Sequence, residues 1–232
     1  MSRVGAAGVF GIVLVSACGG ASPHLTTAKP TGTVIDFDGN NYPTIVIGSQ
    51  EWMVENLKTT HYDDGAAIQN VTDATLWYVL TFGAYAWYDN DDANKDRYGA
   101  LYNWYVVDTN KICPAGWSVP SQDNWRALAA SLGGDAVSGG RMKEAGTAHW
   151  QAPNTGATNE SGFTALPAGW RSSTGSFVEQ GQTEIWWTST QDLLSLDPTA
   201  DFWDVTFQTA DSGGAQSLYQ AGYSIRCRRS VN

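Results

Sequence analysis

Residues 113–125 read CPAGWSVPSQDNW, and the second half of this stretch starts the clearest helix of the chain. Ser121 is an N-cap residue, whose side-chain oxygen accepts an amide of the first turn. Trp125, Leu128, Ala129 and Leu132 follow at 0, +3, +4 and +7, one face of a 3.6-residue helix. Gly133–Gly134 then ends it. Outward from this helix the pattern changes to strands. Ile185–Ser189, Phe202–Thr206 and Tyr223–Arg228 are β-rich, with a turn at Asp211–Ser212–Gly213–Gly214 between the last two. Upstream, Thr33–Phe37 and Tyr42–Ile47 flank Asp38–Gly39–Asn40, a hairpin signal, and EWMVENL (51–57) extends that region. Residues 58–81 are turn-rich, and Ala84–Tyr88 is a short aromatic strand. In YGALYNWYVV (98–107) apolar residues fall at both helical and alternating spacing, and the reading favours a second helix. From 135 to 183 Gly, Ser, Thr, Asn and Pro dominate, which predicts long ordered loops. These signals define a β-rich α+β domain with two helices and long loops. No internal repeat or composition break divides residues 33–232, so one domain is expected there.

The N-terminus reads as an address. Met1–Ser2–Arg3 is followed by an apolar run from Val4 to Val15 and by small residues Ser16 and Ala17 before Cys18. This order is that of a secretory signal peptide, too short for a membrane helix. Val15–Ser16–Ala17–Cys18 resembles the lipobox of bacterial lipoproteins. The resemblance implies cleavage before Cys18, lipidation of Cys18 and, with Gly19 next, an outer-membrane destination. Several acyl chains anchor a protein stably where one does not. The expected division is residues 1–17 as signal peptide and 18–32 as lipidated Cys plus flexible tether. His24 falls in that tether.

Composition narrows the partners. The 232 residues hold 28 aromatics (11 Trp, 10 Tyr, 7 Phe), enough for a sizeable core. The net charge of −10 argues against nucleic acid, because phosphate binding needs a basic footprint. It also argues against unassisted adsorption to anionic lipid, which leaves the lipid anchor as the membrane contact. Of 3 Cys, two remain if Cys18 is acylated: Cys113 and Cys227. In an oxidising compartment an even remainder suggests one disulfide. A reactive or metal-binding thiol pair is the alternative, although no CxxC spacing or nearby His accompanies it.

A longer series of motifs points to a family. IGSQEWMVENLKTTHYDDG (47–65), YGALYNWYVV (98–107), CPAGWSVPSQDNW (113–125), NTGATNESGFTALPAGWR (154–171), WWTST (186–190) and SIRCRR (224–229) together resemble the Fibrobacter succinogenes major paralogous domain, over about residues 33–229. That family resembles the C-type-lectin-like fold, in the branch that holds formylglycine-generating enzymes and the variable proteins of diversity-generating retroelements. The resemblance implies a small twisted antiparallel sheet, two helices, a long loop region presenting the binding surface, and a Cys113–Cys227 bridge. It carries no established activity.

Candidate chemistry is sparse. Asp89, Asn90, Asp91, Asp92, Asn94 and Asp96 crowd oxygens into eight residues, a pattern from which a hard cation such as Ca²⁺ draws ligands. The spacing is not that of an EF-hand, and a solvated acidic turn ahead of a helix is the competing reading. Asp36, Asp38 and Asn40 suit the hairpin turn. Asp211–Ser212–Gly213–Gly214 resembles a protease nucleophile segment weakly, with Ala210 where that motif has Gly and no partner motif at His61 or His149. Glu144, Glu160, Glu179 and Glu184 lie in or near the loops without a fixed pair, so glycoside hydrolysis is not expected. Adjacent strand residues point to opposite faces, so one of Trp186 and Trp187 leaves the core the other enters. Trp187 with Trp203 and Tyr219, beside Asp204 and Arg171, is the candidate aromatic platform for a ligand, and a second packed layer is the competing reading. The sequence thus describes a lipid-anchored, non-catalytic cell-envelope protein. It would bind an extracellular glycan or surface protein through the 135–183 loops and late strands. A structural or assembly role is the first alternative, and a polysaccharide-processing enzyme the second.

Overall fold

The computed structural model describes residues 27–193 and 195–231. Residues 1–17 (expected to be a signal peptide), Cys18 and His24 lie outside them. The elements in chain order are β1 (Gly32–Ile35), β2 (Asn41–Ile47), β3 (Gln50–Met53), β4 (Gln69–Asn70), α1 (Ala74–Tyr78), β5 (Ala84–Ala86), α2 (Lys95–Tyr98), β6 (Leu101–Tyr102), α3 (Trp104–Asp108), α4 (Gln122–Ser131), α5 (Asp135–Met142), β7 (Trp170–Arg171), β8 (Phe177–Val178), β9 (Thr183–Asp192), β10 (Thr199–Thr206), β11 (Gly213–Leu218) and β12 (Arg228–Ser230). This is a mixed α+β chain, mostly sheet. One four-stranded sheet has the order β1-β2-β3-β12, and a three-stranded sheet the order β11-β10-β9. All pairs in both are antiparallel. Smaller sheets β4-β5-β6 and β7-β8 lie between them in the chain.

The first hairpin forms as expected. Asp36 closes it by accepting from the Asn40 amide (2.9 Å), the Asn40 side chain (2.8 Å) and the Tyr42 hydroxyl (2.6 Å). Hydrogen bonds to the domain begin before residue 33, however. The Ala28 amide donates to Glu160 O (3.1 Å) and the Thr31 amide to Thr44 O (2.7 Å), so the end of the expected tether is already fastened to the domain. Helix α4 starts with a reciprocal cap. Ser121 Oγ accepts from the Asn124 amide, and Asn124 Oδ1 accepts from the Ser121 amide.

Four expectations need correction. Residues 98–107 split: Gly99 (φ 77°) breaks the run, Leu101–Tyr102 pairs with β5, and only Trp104–Asp108 is helical. Sheet pairing decided between two periods that the sequence left balanced. Residues 135–183 contain α5 and the β7–β8 hairpin as well as loops. Gly133 and Gly134, both at positive φ, turn the chain from α4 straight into α5. Gly139 and Gly140 depress helix propensity there, yet the fold requires them. A Cβ at Gly139 would strike Asp211 O, and one at Gly140 would strike Gly156 O. The expected turn at 211–214 is shorter, since Gly213 already pairs with Asp204 in β11. Residues 223–228 are not one strand. Gly222, Tyr223 and Ser224 make single bridges to Arg171, Tyr102 and Trp186, and the ladder resumes only at Arg228.

Two large apolar clusters meet at β9. One gathers Tyr42, Met53, Tyr102, Trp187, Tyr223 and the two cysteines, and the other gathers Trp52, Trp125, Trp150, Phe163, Trp186 and Trp203. The disulfide is present: Cys113 and Cys227 are bonded, with Cα atoms 5.9 Å apart and 114 residues of separation. Among the described residues no helix is long and apolar enough to cross a membrane.

Candidate functional site

Strands β9 and β10 pair so that Phe202 faces Trp187, Asp204 faces Ile185 and Thr206 faces Thr183, while Trp203 faces Trp186 and Val205 faces Glu184. Directly opposed residues share a face. Trp186 and Trp203 therefore enter the same core, where both stack on Trp125 (centroids 5.0 and 6.2 Å). Trp187 enters the other core, and its Nε1 donates to Tyr102 O (2.8 Å). The expected platform is thereby overturned. Trp187 is 0% exposed and Trp203 2%, because each ring is covered on its own side of the sheet. Arg171 is also fully buried. Its guanidinium lies over Trp77 and Phe177 and donates to Gly175 O and Thr72 O, tying loops together. Tyr219 stacks on Trp104 at 4.3 Å. Asp204 opens onto a groove.

The acidic loop is also corrected. Asp91 accepts from the Ala93 amide, and Asn94 bridges Tyr88 O and the Gln180 side chain. Asn90 donates to Thr72 O, and Asp96 sits 3.5 Å from Lys58. Asp89 and Asp92 are exposed. Among the described residues no group of three or more His, Cys, Asp or Glu side chains gathers as a metal would require. The loop is a solvated acidic turn, built by local hydrogen bonds.

The groove at Asp204 holds about 410 Å³ and lies between the β7–β8 hairpin and the open face of β10. Trp170, Phe202 and Phe207 are half-buried in its walls, and Tyr223 packs behind them. The Tyr223 ring meets Phe202 at 5.3 Å and Trp170 at 6.0 Å, edge to face. Polar groups come from Glu179, Gln182, Thr183, Asp204, Thr206 and Gln208. Glu179 Oε2 accepts from both Trp170 Nε1 and Thr183 Oγ1 at 3.0 Å, which fixes the ring and the carboxylate together. Burial, then the charges of Asp211 and Glu179, push the Asp204 carboxyl up to about 6. No hydrogen-bond donor or cation among the described residues offsets this. Burial likewise pushes the Tyr223 phenol up to about 12.

A second cleft, of about 420 Å³, lies between Val54–Asn56, Asp96–Arg97 and Thr164–Leu166. Beneath it Asn56 joins three buried groups. Its Nδ2 donates to Glu184 Oε1 (2.9 Å), and its Oδ1 accepts from Trp186 Nε1 and Arg226 Nε (both 2.9 Å). Glu184, expected near a loop, is 0% exposed on β9. Burial pushes it up to about 8, against the pull of the Ala168 amide, Arg226, Ser224 and Asn56. Burial lowers Arg226 to about 10, and its remaining donors go to Phe163 O and Thr164 O. These groups form a connected, hydrogen-bonded buried network. The other acids weighed for hydrolysis are also engaged: Glu144 with His149 (2.9 Å) and Glu160 with Arg141 (2.7 Å).

The sequence missed Phe202, Phe207, Glu179 and Gln182 as groove residues. Alternation along β10 places Phe202, Asp204 and Thr206 on one face. That signal was available, but which face lay open depended on the β7–β8 hairpin.

The groove over β10 is thus aromatic and acid-lined, whereas the second cleft overlies a buried polar network. The chain belongs to the Fibrobacter succinogenes major domain family, whose profile matches residues 45–229. No match was found among curated proteins or solved structures.

Proposed function

We propose that this protein is a non-catalytic recognition module of the bacterial cell envelope, built on a C-type-lectin-like scaffold. A lipid on Cys18 holds it there, and an extracellular glycan or surface protein is its ligand. The carrying observation is the groove over β10, where half-buried Trp170, Phe202 and Phe207 adjoin the polar groups of Gln182, Asp204, Thr206 and Gln208. Aromatic rings that stack on sugar faces, beside a few convergent polar groups, are the composition of a saccharide site. The oxidised Cys113–Cys227 pair fits an exported location, since disulfides persist in oxidising compartments. The C-type-lectin-like scaffold is supported by the antiparallel sheets, the two longer helices α4 and α5, and a bridge reaching from the approach to α4 to the end of the chain.

The test uses the chain purified in detergent, on a glycan array and in pull-downs from bacterial surfaces. Binding that is lost in Trp170→Ala supports the reading. Silence in both assays, with purification inside a fixed complex, would replace it with an assembly role. Turnover of a bound polysaccharide would replace it with catalysis.

A further inference from the structure

We propose that the groove over β10 selects sugars carrying a positively charged amine, taking an amino-sugar unit in preference to neutral or acidic sugars. The inference rests on the glycan reading above and narrows it to a class.

The argument begins with what the groove lacks. Its ionisable side chains are Glu179 and Asp204, with the phenol of Tyr223 behind, and no Lys or Arg lines it. An adjoining recess of about 300 Å³ shares Asp204 and Thr206 and adds Asp211, again without a cation. Lys143 feels the charge of Asp211. Its Nζ is already spent on three carbonyls, those of Thr155 (3.0 Å), Thr206 (2.7 Å) and Thr209 (2.7 Å). An ammonium has three donors, so none is left for the groove.

The walls supply the second half. Trp170, Phe202 and Phe207 present ring surface in the same groove, and a cation over an aromatic face is attracted by its quadrupole. Asp204 is half-buried beside two like charges with nothing to neutralise it. A carboxylate in that state is mismatched to a neutral hydroxyl and repels an acidic sugar. It is matched to an ammonium, which offers both charge and donors. The amides of Gln182 and Gln208 and the hydroxyls of Thr183 and Thr206 give partners for sugar hydroxyls around that amine. A slot shaped only for a lysine side chain would not need them.

The experiment compares three oligomers that share one β-1,4 backbone and differ at carbon 2: glucosamine, N-acetylglucosamine and glucose. Binding to the chain in detergent is measured by calorimetry near neutral pH. The expected result is at least about tenfold tighter binding of the glucosamine oligomer, as a charge-assisted hydrogen bond implies. Asp204→Asn should remove that preference, and Glu179→Gln should reduce it in part. Trp170→Ala should weaken all three. Acidification below about pH 6 should abolish the preference as Asp204 takes up its proton in the company of Glu179, Asp211 and Lys143. Equal affinity for the three oligomers would overturn the amine selectivity and leave the glycan reading standing. Binding of a lysine-rich peptide with no binding of any oligomer would overturn both.

Discussion

Asn56 is a single polar side chain on which three buried groups depend. One amide separates a buried acid, a buried guanidinium and a buried indole, and it satisfies all three. Removing it leaves a charge unscreened in the interior, for which losses of about 3–5 kcal/mol are usual. Asn56→Ala is therefore expected to lower the urea midpoint sharply or to prevent folding, whereas Asn56→Asp should fare no better beside Glu184. The acids make a second prediction at this scale. Asp204 and Glu184 titrate near 6 and 8 in the fold, against ordinary values of 3.8 and 4.5. The folded chain thus holds more protons than the unfolded chain between about pH 4 and 8, so stability falls as pH rises through that window and returns on mild acidification. Asp204→Asn should raise stability at pH 7 by about 1–2 kcal/mol and leave less slope at the acid end. Glu184→Gln should flatten the upper end, and thermal melts across the window would read both. Asn56 sits in EWMVENL with no feature to mark it, since its importance comes from partners at positions 184 and 226.

Among the elements, α4 was legible because its instructions are local. The cap at Ser121, the apolar face and the glycine stop all lie within fourteen residues. Ser121→Ala should cost about 1 kcal/mol, measurable by chemical denaturation. Helix α5 was illegible for the opposite reason. Its glycines read as a loop, but they are set by backbone from residues 156 and 211 pressing on the helix. This reverses the usual sign of a substitution. Gly→Ala within an exposed helix gains roughly 1 kcal/mol of propensity, yet Gly139→Ala and Gly140→Ala should each destabilise by about 2 kcal/mol or more through overpacking. A melt in which either variant gained stability would contradict the close approach. The expected strand Tyr223–Arg228 failed for a similar reason: its apolar alternation is real, but Tyr223, Ser224 and Arg228 pair with three different elements, at Tyr102, Trp186 and Trp52.

At the scale of the whole molecule, the single disulfide spans about half the chain. Closing a loop of this length is worth roughly 4–5 kcal/mol in the chain-entropy account. Cys113→Ser with Cys227→Ser should lower the melting temperature by several degrees or more, and dithiothreitol should do the same only once the buried bond is exposed. Cys18→Ser should move the protein from the membrane to the soluble fraction if that residue carries its anchor. Family and fold class were readable from long, ordered motifs. The groove was not, because burial of Trp187, Trp203 and Arg171 depends on layers that the local sequence does not reveal. One internal fastening has a consequence for how any guest is received. Lys143 rivets the backbone at residues 155, 206 and 209 from within, next to the turn that leaves β10. The mouth beside it is consequently stiff before any visitor arrives, so association should resemble a key entering a cut lock, with little backbone rearrangement and a fast on-rate that rises with temperature only as solvent viscosity falls.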